Sequence, residues 1–309
     1  MSLDHYLPAG SYPTICDLFK AGADDTWNRI AFSRTTPRLK IHETTITQNL
    51  VYEMNLLQTK YPLLGFTLYE SRLEKTNGDD LELCVLHDDG NTYTYAIQAK
   101  IIYHPSQKKP PFLQKGHYPQ MKHYVGKKRK NQVELLINYA KRPAHGYVPL
   151  YLLYNCIYKS FRQMGYRKSA YGCTVVSAYY LKRKHGLADG NLSDKVTFAN
   201  LHPGAATPWE SLICELISTD TAGLATRFEL PPDHPLSKRP VTEILSDPNW
   251  LLFTTDQETG KINVPSPAYR EEQIDKVMSK EKLNRQGFRP KFRIVIGTST
   301  EFTDQNQIQ

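Results

Sequence analysis

Glu53, Asp80, Gln98 and Lys100 are residues of the types that hydrolyse phosphodiester bonds with a hard divalent cation. Mg2+ or Mn2+ takes oxygen ligands. Asp80, the side-chain amide oxygen of Gln98 and the backbone carbonyl of Ala99 would supply three, with Glu53 holding a water or a second ion. Lys100, a mobile ammonium, suits orienting the attacking water and offsetting the negative charge that grows on the phosphate. Glu82 and Gln132 are further candidates for the same site.

Two elements have to position these groups. Thr45 followed by Gln48 reads as a capping box, and Ile46, Leu50, Met54 and Leu57 recur at helical spacing, which predicts a helix over 46–59. Glu53 falls beside that apolar stripe, where a carboxylate needs a partner or serves a site. Strand-like runs follow at 65–70, 80–86 and 92–103, the last two joined by Asp88-Asp89-Gly90. A three-residue loop with Gly90 left-handed pairs His87 with Asn91, and that register sets Asp80 opposite Gln98. It also sorts Leu81, Leu83, Val85, Tyr93, Tyr95 and Ile97 onto one face and Asp80, Glu82, Gln98 and Lys100 onto the other. A slipped hairpin would put Asp79 in place of Asp80. Structural roles compete at each position: an ion pair for Glu53, a solvated hairpin face for Asp80 and Glu82, a helix-terminal hydrogen bond for Gln132.

The positive charge sits next to this hairpin. From Gly90 to Val133 there is no Asp or Glu, while Lys100, Lys108, Lys109, Lys115, Lys122, Lys127, Lys128, Arg129 and Lys130 carry nine of the charges behind a net +8, so the remainder nets −1. Tyr103, Phe112, Tyr118 and Tyr124 are interleaved with these cations, a mix that suits a phosphate backbone with bases nearby. His104, His117 and His123 lie among them and read as solvated loop histidines.

Elsewhere the patterning is uneven. Residues 1–42 read as an irregular N-terminal arm with at most one short helix near 15–20. Beyond the basic segment, 132–141 reads as a helix, and 147–155 as a strand buried on both faces. A helix over 157–166, a strand over 174–178 leading into a helix over 179–184, and a helix opened by Thr207-Pro208-Trp209-Glu210 and ending near 217 come next. Trp209 reads as the core anchor of that last helix. A proline-rich loop over 230–240 marks the best boundary, followed by a polar helix from Ser266-Pro267 to about 284 and a closing strand over 292–296. The resulting division is an arm (1–42), a core (43–160), its continuation (161–229) and a C-terminal α/β extension (230–309).

At these residues the chain resembles the PD-(D/E)XK superfamily, the restriction-endonuclease-like nucleases. The carriers of the likeness are Glu53 on a helix, Gly78-Asp79-Asp80 on a strand, Gln98-Ala99-Lys100 on the next, then Gln132 at a helix start and the buried strand over 147–155. Gln98 in place of the second acid looks like the Mrr-type Q-x-K variant. The chain also resembles an uncharacterised bacterial family with this motif order. The resemblance implies an α/β fold with a mixed central sheet flanked by helices, Mg2+-dependent hydrolysis of DNA more than RNA, restriction or antiviral defence, and work as a dimer or under a regulatory partner. The alternative is a catalytically inactive nucleic-acid-binding or protein-interaction module on the same fold.

Composition bounds the rest. The chain has 309 residues, 40% of them hydrophobic and 23% charged, enough for a substantial core. The longest apolar run, 147–158, is too short to span a bilayer and no secretory signal opens the chain, so no membrane contact and a cytoplasmic location are expected. Five widely spaced cysteines without a C-x-x-C pair argue against a disulfide framework or a zinc site and read as buried thiols.

Overall fold

The structure is a computed structural model that describes residues 2–36, 39–71, 80–87, 91–103, 116–118, 121, 124–125, 130–142, 145–157, 167–185, 196–215, 220–255, 262–263, 288 and 290–297. The first large element replaces the expected irregular arm. Helix α1 (Ile15–Thr35) has 21 residues and opens with a capping box, the Thr14 hydroxyl accepting from the Asp17 N–H and the Asp17 carboxylate from the Thr14 N–H. Its inward face mixes Leu18, Phe19, Trp27 and Ile30 with Ala23, Thr26 and Ser33. Small and polar residues therefore carry much of the helical period, which hides it from a hydrophobicity pattern. Gly22 on that face is a close approach: a Cβ there would lie 2.9 Å from a ring carbon of Trp209. Trp209 is the core anchor expected, its ring 4.3 Å from that of Phe19 and its N–H donating to the Phe19 carbonyl at 2.7 Å. Helix α2 (Glu43–Lys60) starts with His42 as its cap, ahead of the Thr45 that the capping-box pattern suggested.

Nine strands form one mixed sheet: β1 (Phe66–Ser71), β2 (Leu81–Leu86), β3 (Asn91–Ile101), β4 (Val148–Tyr154), β5 (Cys173–Ser177), β6 (Thr207–Pro208), β7 (Arg239–Pro240), β8 (Trp250–Leu252) and β9 (Phe292–Ile296). Their order is β8-β1-β9-β2-β3-β4-β5-β6, with β7 pairing the start of β3. The closing strand β9 lies between β1 and β2, parallel to β2 and antiparallel to β1, so the first three strands in sequence are not three neighbours in space. A strand from the far end of the chain thus sits inside the sheet. Strand β4 runs parallel to β3 and is buried at every position, as its unbroken apolar run implies.

The β2–β3 hairpin has the expected register: Leu81 faces Ile97, Leu86 faces Thr92, and the His87 N–H donates to the Asn91 carbonyl at 2.8 Å. Leu81, Leu83, Val85, Tyr93, Tyr95, Ile97 and Ala99 form one core with Leu18 and Phe19 of α1 and Ile46, Leu50 and Met54 of α2. Across the sheet, Ala96, Tyr151 and Leu153 pack with Val133, Leu136 and Ile137 of α3 (Gln132–Ala140) and Leu181 of α4 (Ala178–His185). The chain is an α/β protein, a mixed sheet flanked by helices, compatible with a restriction-endonuclease-like core.

Two expectations require correction. The Thr207–Glu210 signature does not open the expected helix: Thr207–Pro208 pairs with β5 as β6, and among the described residues of this stretch only Ser211–Cys214 (α5) is helical. The Trp209 backbone N–H donates to the Cys173 carbonyl, so that stretch is used for sheet bonding before the helix can begin. Nor are all five cysteines thiols, because Cys16 of α1 and Cys214 of α5 form a disulfide across 198 residues of sequence; Cys84, Cys156 and Cys173 are free. The fold, not local spacing, brings the two together. The expected polar helix from Ser266 to about 284 and nearly all of the helix over 157–166 lie outside the described residues.

Two predictions follow from this packing. Reducing Cys16–Cys214, or replacing both by serine, removes a long loop constraint from the unfolded chain and should cost about 2–5 kcal/mol in denaturant titrations; an unchanged midpoint would refute that contribution. Glu210 is held with one carboxylate oxygen buried and without a hydrogen-bond partner, and burial pushes its carboxyl up to about 7, against the lowering effects of a backbone hydrogen bond and Lys20. A folded-state value above the ordinary 4.5 means stability that is full below pH 4.5 and lost as pH rises through 7. Glu210→Gln should therefore raise Tm at pH 8.5 and give no gain at pH 4.5.

Candidate functional site

The pleat of the β2–β3 hairpin determines which candidates meet. Asp80 immediately precedes β2, and continuing the Leu81–Ile97 register by one residue sets it opposite Gln98, with Lys100 two residues further along the same face. All three are buried: Asp80 is 8%, Gln98 2% and Lys100 3% exposed. The Asp80 backbone carbonyl is fixed by the Lys291 N–H at 2.8 Å, which ties the start of β2 to the start of β9. Ala99 points its methyl into the opposite core. By the alternation of the strand, its carbonyl lies on the edge of β3 that faces β2, since the His87–Asn91 bond places odd-numbered residues on that side and Ile102 bonds to Tyr154 on the other.

Helix α3 brings the next group. Gln132 is its first residue, capped by the Asn131 side chain, and its Nε2 donates to Gln98 Oε1 at 2.6 Å. Gln132 Oε1 is buried without a hydrogen-bond partner. From the neighbouring strand comes Tyr151, the register partner of Gln98, wholly enclosed and with its hydroxyl also unpartnered. Burial holds the Tyr151 phenol well above its ordinary pKa, and the Asp80 charge pushes in the same direction, which places the carboxylate within electrostatic reach of the ring. Tyr151 carried no signal in the sequence, where it is one residue of an apolar strand.

Glu53 is not brought to this group. α2 packs against the opposite face of the sheet, and the Glu53 carboxylate accepts from the Ser2 hydroxyl at 2.8 Å and the Leu3 N–H at 3.2 Å, with Arg29 of α1 at 3.9 Å. Its place beside the apolar stripe is explained by a partner from the N-terminal helix, whose existence the sequence understated.

Glu82 shares the face of Asp80 but is already engaged. The Arg293 Nε of β9 donates to Glu82 Oε2 at 2.8 Å, and the Tyr139 hydroxyl of α3 donates to Oε1. Arg293 also donates to the Ile244 carbonyl at 3.1 Å and to Asp247 at 3.3 Å, and its guanidinium stacks 4.1 Å from the ring centre of Trp250. Glu82 and Arg293 are 0% and 2% exposed as side chains. This is a structural clamp joining β2, β9, α3 and the segment around α6 (Val241–Leu245). The competing reading, a solvated hairpin face for Asp80 and Glu82, does not hold: both are buried, Glu82 against Tyr139 of α3 and Arg293 of β9.

Of the basic residues, Lys108, Lys109, Lys115, Lys122, Lys127, Lys128 and Arg129 lie outside the described residues, as do His104 and His123. Lys130 begins a two-residue strand, Lys130–Asn131, paired with Tyr124–Val125. His117 lies in bridges to Tyr103 and Thr197. Among the described residues no three His, Cys, Asp or Glu side chains gather as a metal-holding group, and no helix is long and apolar enough to cross a membrane.

A family model, "Family of unknown function (DUF6615)", matches residues 15–301. The chain belongs to that family. No curated protein and no solved structure matches it. The matched span of the DUF6615 model takes in both α1 and β9, which lie at either end of the chain outside the 43–160 core read from the sequence.

The clamp yields a test of its own. Removing one member of a buried ion pair leaves the other charge uncompensated, at a cost of about 3–5 kcal/mol. Glu82→Gln and Arg293→Met should each lose about that much stability, and the double variant Glu82→Leu/Arg293→Met should recover most of it. Equal losses in all three would show that shape, not charge, is what the clamp supplies.

Proposed function

We propose that the chain is a metal-dependent nuclease that hydrolyses phosphodiester bonds, with DNA the preferred substrate over RNA. The observation that carries this reading is the buried face on which Asp80 stands opposite Gln98, Lys100 follows two residues along, and Gln132 grips the Gln98 amide. The donor set suits Mg2+ or Mn2+: one carboxylate, one amide oxygen and one backbone carbonyl are hard oxygen ligands. Mg2+ commonly uses only one or two carboxylates together with substrate phosphate oxygens. Asp80, Gln98 and the Ala99 carbonyl would hold the ion, and when bound it would act as a Lewis acid on the phosphate. Glu53, placed on the other face, is left out of the ion's ligands and braces α2 against α1.

The remaining chemistry belongs to the chain's own side chains. Lys100 is aligned with Asp80 and Gln98 by the two-residue period of β3 and brings a cation to the place where negative charge grows on the phosphate. Gln132 fixes the orientation of the Gln98 amide and leaves its oxygen a second lone pair. The acid-free segment from Gly90 to Val133 supplies cations for the polyanion. The cytoplasm is the proposed compartment and restriction or antiviral defence the proposed setting. A reducing cytosol would open Cys16–Cys214, so trapping the redox state of that pair in cells tests the compartment.

One observation favours a second reading, a nucleic-acid-binding module without activity: the second acid is a glutamine whose oxygen already accepts a hydrogen bond. A cleavage assay on plasmid DNA, single-stranded DNA and RNA, with Mg2+, Mn2+ or chelator, separates the two. The nuclease reading expects metal-dependent cutting that falls by about 100-fold or more in Asp80→Asn and Lys100→Ala, in variants that circular dichroism shows to be folded at the assay temperature, and that persists in Glu53→Gln. Undiminished cutting by Asp80→Asn would sink it, and salt-sensitive binding with no cutting under any condition would establish the second reading.

A further inference from the structure

Two buried polar atoms beside the Asp80–Gln98–Lys100 face have no hydrogen-bond partner, the Tyr151 hydroxyl and Gln132 Oε1. Both adjoin Gln98, one as its register partner on β4 and the other through its own amide. Buried polar groups in folded proteins are nearly always satisfied, and two unsatisfied groups that both flank Gln98 point to a ligand held beside it. Gln132 Oε1 can only accept. The Tyr151 phenol brings an O–H that can donate. A phosphoryl oxygen would satisfy the tyrosine and leave the amide oxygen facing negative charge. A metal ion would suit the amide oxygen and meet the hydroxyl proton. Water is the reactant that accepts from one and donates to the other.

We infer that Tyr151 and Gln132 seat the water that attacks the phosphodiester, making Tyr151 a further catalytic residue of the proposed nuclease. This rests on the nuclease reading. In the reaction the water oxygen bonds to phosphorus, the bond from phosphorus to the leaving oxygen breaks, and the proton released ends on that leaving oxygen. Tyr151 and Gln132 hold the water and take no proton themselves. The hydroxyl is there at a cost to the fold, because an unpartnered buried donor is less stable than the ring alone.

The same reasoning supplies its control. Tyr95 is just as enclosed and its hydroxyl is likewise unpartnered, but it points into the opposite core, with α1 and α2. Tyr151→Phe and Tyr95→Phe should both keep or raise Tm. Only Tyr151→Phe should lower kcat, by about 30-fold or more, with KM within about twofold and with unchanged affinity for an uncut oligonucleotide measured by fluorescence anisotropy in Ca2+. If the wild type cuts and Tyr151→Phe cuts equally well, the inference is overturned while the nuclease reading stands. If both variants lose rate in parallel with Tm, the hydroxyl is structural and the inference is likewise overturned. A wild type that cuts no substrate under any metal condition overturns the nuclease reading itself, and the role of Tyr151 with it.

Discussion

Arg293 is enclosed in the middle of the sheet, its guanidinium donating to Glu82 on the adjacent strand, to the Ile244 carbonyl and to Asp247, with the Trp250 ring against its face. A charge at that depth is tolerated only when its partners are in place, because stripping water from an ion costs several kcal/mol that the partner must return. The pair therefore acts as a registration device. β9 enters between β1 and β2 with Arg293 beside Glu82, and a shift of one residue would turn the guanidinium into the apolar core formed by α1 and α2.

The candidate site depends on that closure. Asp80 stands at the start of β2, where its backbone carbonyl is held by Lys291 next to β9, and Glu82 two residues on is occupied by Arg293 and Tyr139. The carboxylates of one strand face thus divide their work: Glu82 locks the strands and the α3 face together, and Asp80 stands beside Gln98. Tyr139 ties α3 to the clamp at one end while Gln132, at the helix's first turn, reaches Gln98 at the other. The spacing of Gln132 and Tyr139, two turns apart on one helix face, is what lets a single helix serve both the lock and the site.

Much of this was legible locally. The β2–β3 register follows from three loop residues and a clean division of apolar and polar positions, and a pleated hairpin has few ways to satisfy both. Gln132 at a helix start and the buried strand β4 follow from the helical spacing of Val133, Leu136, Ile137 and Ala140 and from an unbroken apolar run. Other features were hidden for identifiable reasons. α1 buries Thr26, Ser33 and Gly22 along with its larger residues, so its period is invisible to hydrophobicity. Glu53 looked available because its partners, Ser2, Leu3 and Arg29, belong to that concealed N-terminal region.

The sequence by itself determined the local objects: which segments pleat or coil, which side chains share a face, and that Asp80, Gln98 and Lys100 would stand together. These depend on periods of two and 3.6 residues and on turn geometry, all of which act over a few positions. Only the tertiary structure decided that β9 divides β1 from β2, that Glu82 is answered by Arg293, that Cys16 meets Cys214, and that Tyr151 comes to lie against Gln98. Those pairings join residues far apart in the chain. They are selected by burial and charge compensation across the whole sheet, which no local pattern records.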